Sequence, residues 1–481
     1  MTPTRTMKPR TRLVLTAVAT AAFGIATLPA TTARAGDVKV PDDAALKAVI
    51  KKLYSKVEFD DSLGRTAAVE ELNGILSKAK DRKNSALKYT GWWSEQIREA
   101  IYAGDKLVKA PGKMKDVLKT EVEVFPNGEE KPSGKVIVAY RGPSGYSKGK
   151  PAPMLISLVD AKTDPEAYLK KTWLGIDDAA KDKKPAPALE DIAKEWILVC
   201  VAQSDVFDVA KDKIAMSRVA SRMMHMYNVD PNRIFLEGTG ASCKGAEIAA
   251  SLSLPDRLAG LILRNPGESP VTDNLNLFPT VVVKGPEGNE KATAVFAKLK
   301  DAVGEARASE ITTPDVASVD GPCAALADWL KAAGPRETPK SFTWTATFDK
   351  DNACPNVVAG NVWIVSPTKR EEPTKLKVTY SRETNTVDIQ ASNLGEYVVM
   401  LNDDLLDLDK EVAIFVNGTQ AAKRVFDRKV QDMIAHADDF FEWGILSPVQ
   451  YRNYVQTQIA APVKKDGDGK DAPAPGGGDK K

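Results

Sequence analysis

The sequence predicts an α/β fold: a mostly parallel sheet with helices on both faces, a helical region before it and a small β-domain after it. Three observations predict this. Continuous apolar runs occur at 154–159, 196–202, 233–236, 258–263 and 280–283, and a strand buried on both faces reads as such a run because neither face meets water. Helical stretches at 211–227, 244–253, 290–303 and 324–332 alternate with the later runs, the order expected of a covered parallel sheet. Beyond Pro335 the texture changes to short segments of alternating polarity, the period of strands with one wet face.

The remaining elements follow in order. Residues 41–54, 65–80 and 92–102 read as amphipathic helices, and Trp92-Trp93 is assigned to packing, since tryptophan usually buries. Segments 121–125 and 134–140 alternate around Pro126-Asn127-Gly128, which predicts an antiparallel hairpin. Strands are expected at 342–348, 361–365, 375–380, 386–391, 397–401 and 412–416, with Asn417-Gly418 as a hairpin turn. Residues 425–443 read as a helix. Ser447-Pro448 predicts the start of another, with serine as N-cap and proline at the first helical position. Residues 463–481, rich in Lys, Asp, Gly and Pro, are expected to be a disordered tail.

The chain has 481 residues, 43% hydrophobic and 27% charged, an ordinary globular composition with room for two or three domains. Its first 35 residues read as an export signal. Arg5, Lys8, Arg10 and Arg12 precede an apolar stretch at 13–28, and Ala33-Arg34-Ala35 is a small-residue cleavage pattern before Gly36. The expected location is therefore secreted or periplasmic. No later stretch is apolar for the length of a membrane span, so no transmembrane segment is expected after cleavage. The formal charge is +2, and without the signal 62 basic groups face 65 acidic ones, a net −3. No basic stripe points to nucleic acid. Export permits disulfides; of Cys200, Cys243, Cys323 and Cys354, the first lies within an apolar run as a buried thiol, and Cys323–Cys354 is the expected staple. With only His225 and His436 present, a histidine-rich metal site is excluded, no Cys/His spacing suggests zinc, and no cofactor is expected.

The stretch YNVDPNRIFLEGTGASCKG, residues 227–245, carries the most information. A buried strand, a glycine-rich turn and a helix with small residues follow one another. This resembles the nucleophile elbow of the α/β-hydrolase family, especially its secreted esterase and peptidase branches, in which G-x-S-x-G presents a serine on a strained turn. The resemblance covers roughly residues 120–335. A second, local one links LNDDLLDLDKEVAIFVNG, residues 401–418, to a β-module that follows some secreted hydrolase-like domains. The expected organisation is a signal at 1–35, a helical region at 36–119, an α/β-hydrolase-like domain at 120–338, a β-rich module at 339–425, helices at 426–462 and the tail.

The resemblance implies a triad in the chain order Ser, Asp or Glu, His. An imidazole takes the serine proton and the acid fixes its tautomer. The nucleophile position falls on Gly240. The acid position falls on Gly288, beside Glu287. The histidine position falls on Asp320, in a loop without histidine. The oxyanion loop after strand 154–159 has lost its glycines and begins with Asp160, a charge that opposes a developing oxyanion. His225 precedes the elbow strand and is expected far from the turn. The resemblance therefore implies a hydrolase-like fold without acyl-transfer activity, a pseudoenzyme that binds an unknown ligand or protein partner or serves the envelope. The alternative is an active extracytoplasmic esterase or peptidase using Ser242 or Cys243 with His436.

Overall fold

The apolar runs become the centre of an eight-stranded sheet. Its strands are β1 (Leu118–Val124), β2 (Gly134–Arg141), β3 (Ala152–Val159), β4 (Ile197–Ala202), β5 (Val229–Thr239), β6 (Leu258–Arg264), β7 (Thr280–Lys284) and β8 (Ala308–Thr312). They lie in the order β1-β2-β4-β3-β5-β6-β7-β8. β1 and β2 pair antiparallel, as do β2 and β4, and every pairing from β4 onward is parallel. The computed structural model describes residues 43–55, 62–77, 83–103, 116–124, 134–176, 187–202, 213–267, 274–286, 289–314, 319, 321–348, 357–439 and 443–454. The expected signal, the turn at 126–128 and the tail lie outside them.

Alternation along the strands sorts side chains onto two faces. Leu155, Leu198, Phe235, Ile262 and Val281 share one face with Trp173, Ile192, Leu326 and Leu330, so helices Pro187–Glu195 and Ala324–Ala332 cover that side. The next residue along β5 from Glu237, Gly238, points the other way. A Cβ there would lie 2.7 Å from both the Cα of Cys243 and the Cβ of Ala246, so helix Ser242–Leu252 rests directly on the opposite face. The fold is α/β-hydrolase-like, with helices on both faces of a mostly parallel sheet.

Helices Asp43–Ser55, Ser62–Ser77, Lys83–Lys88 and Thr90–Ala103 form the N-terminal region. Trp92 and Trp93 are buried, and Trp93 Nε1 donates to the Ala86 carbonyl at 3.1 Å, a packing role. Among the described residues no helix is long and apolar enough to cross a membrane.

After residue 340 the strands build two further sheets. β9 (Ser341–Thr347), β12 (Pro373–Ser381), β13 (Thr386–Ser392), β15 (Val412–Val416) and β16 (Thr419–Arg424) form one, in the order β16-β15-β13-β12-β9. β10 (Val357–Ala359), β11 (Val362–Ile364), β14 (Glu396–Leu401) and β17 (Val449–Tyr454) form the other. A helix, Val430–Asp439, precedes β17.

Two expectations are corrected. The segment after Ser447-Pro448 is strand β17, paired antiparallel with β14, instead of a helix. Its aromatic and β-branched residues suit a pleated edge, and a partner strand outweighs a local capping signal. Cys323 is a free buried thiol in the core cluster below helix Ala324–Ala332, so the staple to Cys354 does not form; Cys354 lies outside the described residues. Cys200 is buried and free, as expected.

Because backbone blocks the space beside Gly238, Gly238→Ala is expected to destabilise the protein by about 1–3 kcal/mol. Urea unfolding should show a lower midpoint at nearly unchanged slope.

Candidate functional site

The elbow forms as a turn. β5 ends at Thr239, Gly240 takes φ +54°, and the helix begins at Ser242. That left-handed conformation penalises a residue with a Cβ and suits glycine. The Gly240 N–H donates to the Arg264 carbonyl at 2.9 Å, and the Cys243 N–H donates to the Gly240 carbonyl at 3.4 Å. A Cβ on Gly240 would meet only Asp160 Oδ2, at 3.7 Å.

The neighbouring candidates are held by other partners. Ser242 is buried and its Oγ donates to Asp160 Oδ1 at 2.9 Å; Asp160 itself is exposed. The Cys243 thiol donates to the Arg264 carbonyl at 3.3 Å. Burial first, then the negative charges of Glu247, Glu237 and Asp160, pushes this thiol well above its usual range. The thiolate is the reactive form, and this burial disfavours it.

Beneath the turn lies a buried charge pair absent from the sequence-based site. Ser157 on β3, Glu237 on β5 and Arg264 on β6 point to the same face, and Ser157 and Glu237 share a register position. Arg264 Nε donates to Glu237 Oε1, and Ser157 Oγ to Glu237 Oε2. Trp173 Nε1 adds a second bond to Oε2 at 2.9 Å. Trp173 arrives on a π-helical turn, Leu169–Trp173, and its ring lies 5.1 Å from the guanidinium carbon of Arg264. Arg264 Nη1 donates to the carbonyls of Val319, at 3.1 Å, and Gly321, at 2.9 Å. Burial alone would lower Arg264, but Glu237 outweighs it and holds the guanidinium above its usual value. The Tyr168 hydroxyl is pushed well up, first by burial and then by the charge of Glu237. One sequence signal marks this pair: Glu237 and Arg264 each end an apolar run, where an unpaired charge would be costly.

Both histidines of the chain lie elsewhere. His225 is at the end of helix Lys213–Met226, and its Nδ1 is 2.6 Å from the Ser221 carbonyl. The eleven residues of β5, roughly 30 Å of strand, separate that end from the elbow. His436 is buried and lines a cavity with Leu258, Arg336 and Asn361. Leu258 opens β6, so this cavity is at the strands' beginnings, whereas the elbow is at their ends. Glu287, Gly288 and Asp320 lie outside the described residues, although Val319 and Gly321, on either side of Asp320, are held by Arg264. Among the described residues no group of three or more His, Cys, Asp or Glu could hold a metal ion.

No protein-family model and no curated protein matches the chain. Several solved structures are similar to part of it. A thermostable esterase is 14% identical with a TM-score of 0.33, over 46% of this chain and 61% of that one. The acylaminoacyl peptidase of Pyrococcus horikoshii is 11% identical with a TM-score of 0.31, over 45% and 41%. A 2,6-dihydroxy-pseudo-oxynicotine hydrolase is 14% identical with a TM-score of 0.32, over 62% and 91%. The chain thus spans less than two thirds of the esterase and of the peptidase. The chain's own sheet order and the strand–turn–helix at Gly240 carry the fold.

Removing one partner of a buried ion pair strands the other charge, at about 3–5 kcal/mol. Arg264→Met is expected to lose stability in that range. The double variant Glu237→Leu, Arg264→Met should be more stable than Arg264→Met alone, and chemical denaturation of the four proteins of the cycle measures the coupling.

Proposed function

We propose that this chain is a non-catalytic α/β-hydrolase-fold protein, exported from the cytoplasm, that works by binding. The observation that supports this most is the absence of an imidazole from the elbow, since both histidines of the sequence have positions remote from it. Gly240 offers no attacking atom. Ser242 has a hydrogen-bonded carboxylate in Asp160, but Asp160 is exposed to water and no imidazole stands at the turn to take the serine proton. The charge of Asp160 also opposes an oxyanion at the same turn.

The Ser242–Asp160 bond favours the second reading, an esterase or peptidase acting through Ser242 without histidine. One experiment separates the two. The mature protein is incubated with a fluorophosphonate probe, a thiol-reactive probe and p-nitrophenyl butyrate. The expected outcome is no labelling of Ser242 or Cys243 in the folded protein and no saturable turnover above a heat-denatured control, with Gly240→Ser equally inactive. Turnover abolished by Ser242→Ala or Cys243→Ala would replace the first reading with the second.

Export is supported by the basic, apolar and A-x-A order of the first 35 residues. Protein recovered from the medium or periplasm of its native host should begin at Gly36. Intact mass checks this, and a retained Met1 would count against export.

A further inference from the structure

The outward face of the five-stranded sheet carries a shallow, open trough. Two adjoining depressions of about 420 and 470 Å³ share Lys375, Ala391, Ser392 and Asn417. Strand pairing sets its floor in two rows, Thr345–Lys375–Ser392 and Thr343–Lys377–Gln390. Period-2 alternation buries Leu376 and Val378 beneath and turns both lysines outward. The walls are pinned by asparagines in left-handed conformations. Asn393, at φ 56°, donates to the Lys369 and Glu372 carbonyls at 2.7 Å each and accepts from the Lys369 N–H at 2.6 Å. Asn417, at φ 50°, bonds both backbone groups of Ala391. On the floor, Thr343 Oγ1 accepts from Asn276 Nδ2 at 3.0 Å. Fixed walls reduce the ordering cost of binding.

The charges around the trough are unequal. Glu372 pairs with Lys369 at 3.0 Å, and Asp388 accepts from Gln390 Nε2 at 2.9 Å. Lys375 and Lys377 make no ion pair among the described residues. Two residues apart on one face, their stems are about 7 Å from each other, which suits a ligand with repeated anionic groups. The lining supplies ammonium, hydroxyl and amide groups, together with the carboxylate of Glu372. It contains no aromatic side chain on which a nucleic-acid base could stack.

We propose that this trough binds a carboxylated polysaccharide, with Lys375 and Lys377 meeting carboxylates and the threonine, serine and amide groups meeting sugar hydroxyls. This binding is independent of the chemistry at Gly240. The test is affinity gel electrophoresis of the full mature chain against polygalacturonate, neutral dextran and single-stranded DNA. The expected result is retardation by polygalacturonate that fades with added salt, and none by dextran or DNA. Lys375→Gln with Lys377→Gln should weaken binding about tenfold, corresponding to two exposed charge contacts. Lys291→Gln with Lys298→Gln, on an exposed helix face, should leave it unchanged. Absence of retardation would overturn the proposal. So would a Lys375/Lys377 variant that binds as wild type, or DNA held as tightly through the same lysines.

Discussion

The ion pair between Glu237 and Arg264 is the constraint on which the centre of this molecule depends. Taking two charges out of water costs several kcal/mol per ion, and their attraction offsets this only when the remaining donors and acceptors are also satisfied. Here Glu237 accepts from Ser157, Trp173 and Arg264. Arg264 gives further donors to the two carbonyls and its guanidinium carbon lies 5.1 Å from the Trp173 ring centre, while its buried Nη2 has no hydrogen-bond partner among the described residues. Three strands and a π-helical turn therefore meet at one ion pair, whose guanidinium also holds the carbonyls of Val319 and Gly321. A side chain shifted by one register position on any of these strands would face the opposite side of the sheet.

Residue 264 also organises the elbow through its backbone. Its carbonyl accepts the Gly240 N–H and the Cys243 thiol, while its guanidinium is committed on the face of the sheet below. The turn and the buried charges are thus parts of one bonded unit. That unit resembles a hydrolase elbow in backbone shape, yet its polar groups are directed at one another. Asp160 faces Ser242, Arg264 faces Glu237, and the bulk of a nucleophile at 240 is missing.

How much of this was legible in the sequence follows from how local each signal is. The apolar runs at 154–159 and 258–263 announced buried strands because burial on both faces leaves no polar position. Gly240 could be located by counting through a local motif, and the turn is where the count put it. Ser447-Pro448 misled because a cap signal is local, whereas β17 exists through its pairing with β14. Cys323 misled for a similar reason: a junction loop suggested a staple, while the thiol is absorbed by the core. Glu237 and Arg264 lie 27 residues apart and become partners only when two strands align. A lone charge ending an apolar run marks each of them, but the run does not say where the other charge is.

The glycine at φ +54° has a consequence for how this fold can change. A serine in that conformation carries backbone strain of about 1–2 kcal/mol, which catalytic turns tolerate because activity depends on it. With glycine the same turn carries no such strain. A side chain at position 240 would add that strain even though its Cβ would meet only Asp160 Oδ2, at 3.7 Å, so it is the left-handed backbone and not crowding that reserves this position for glycine.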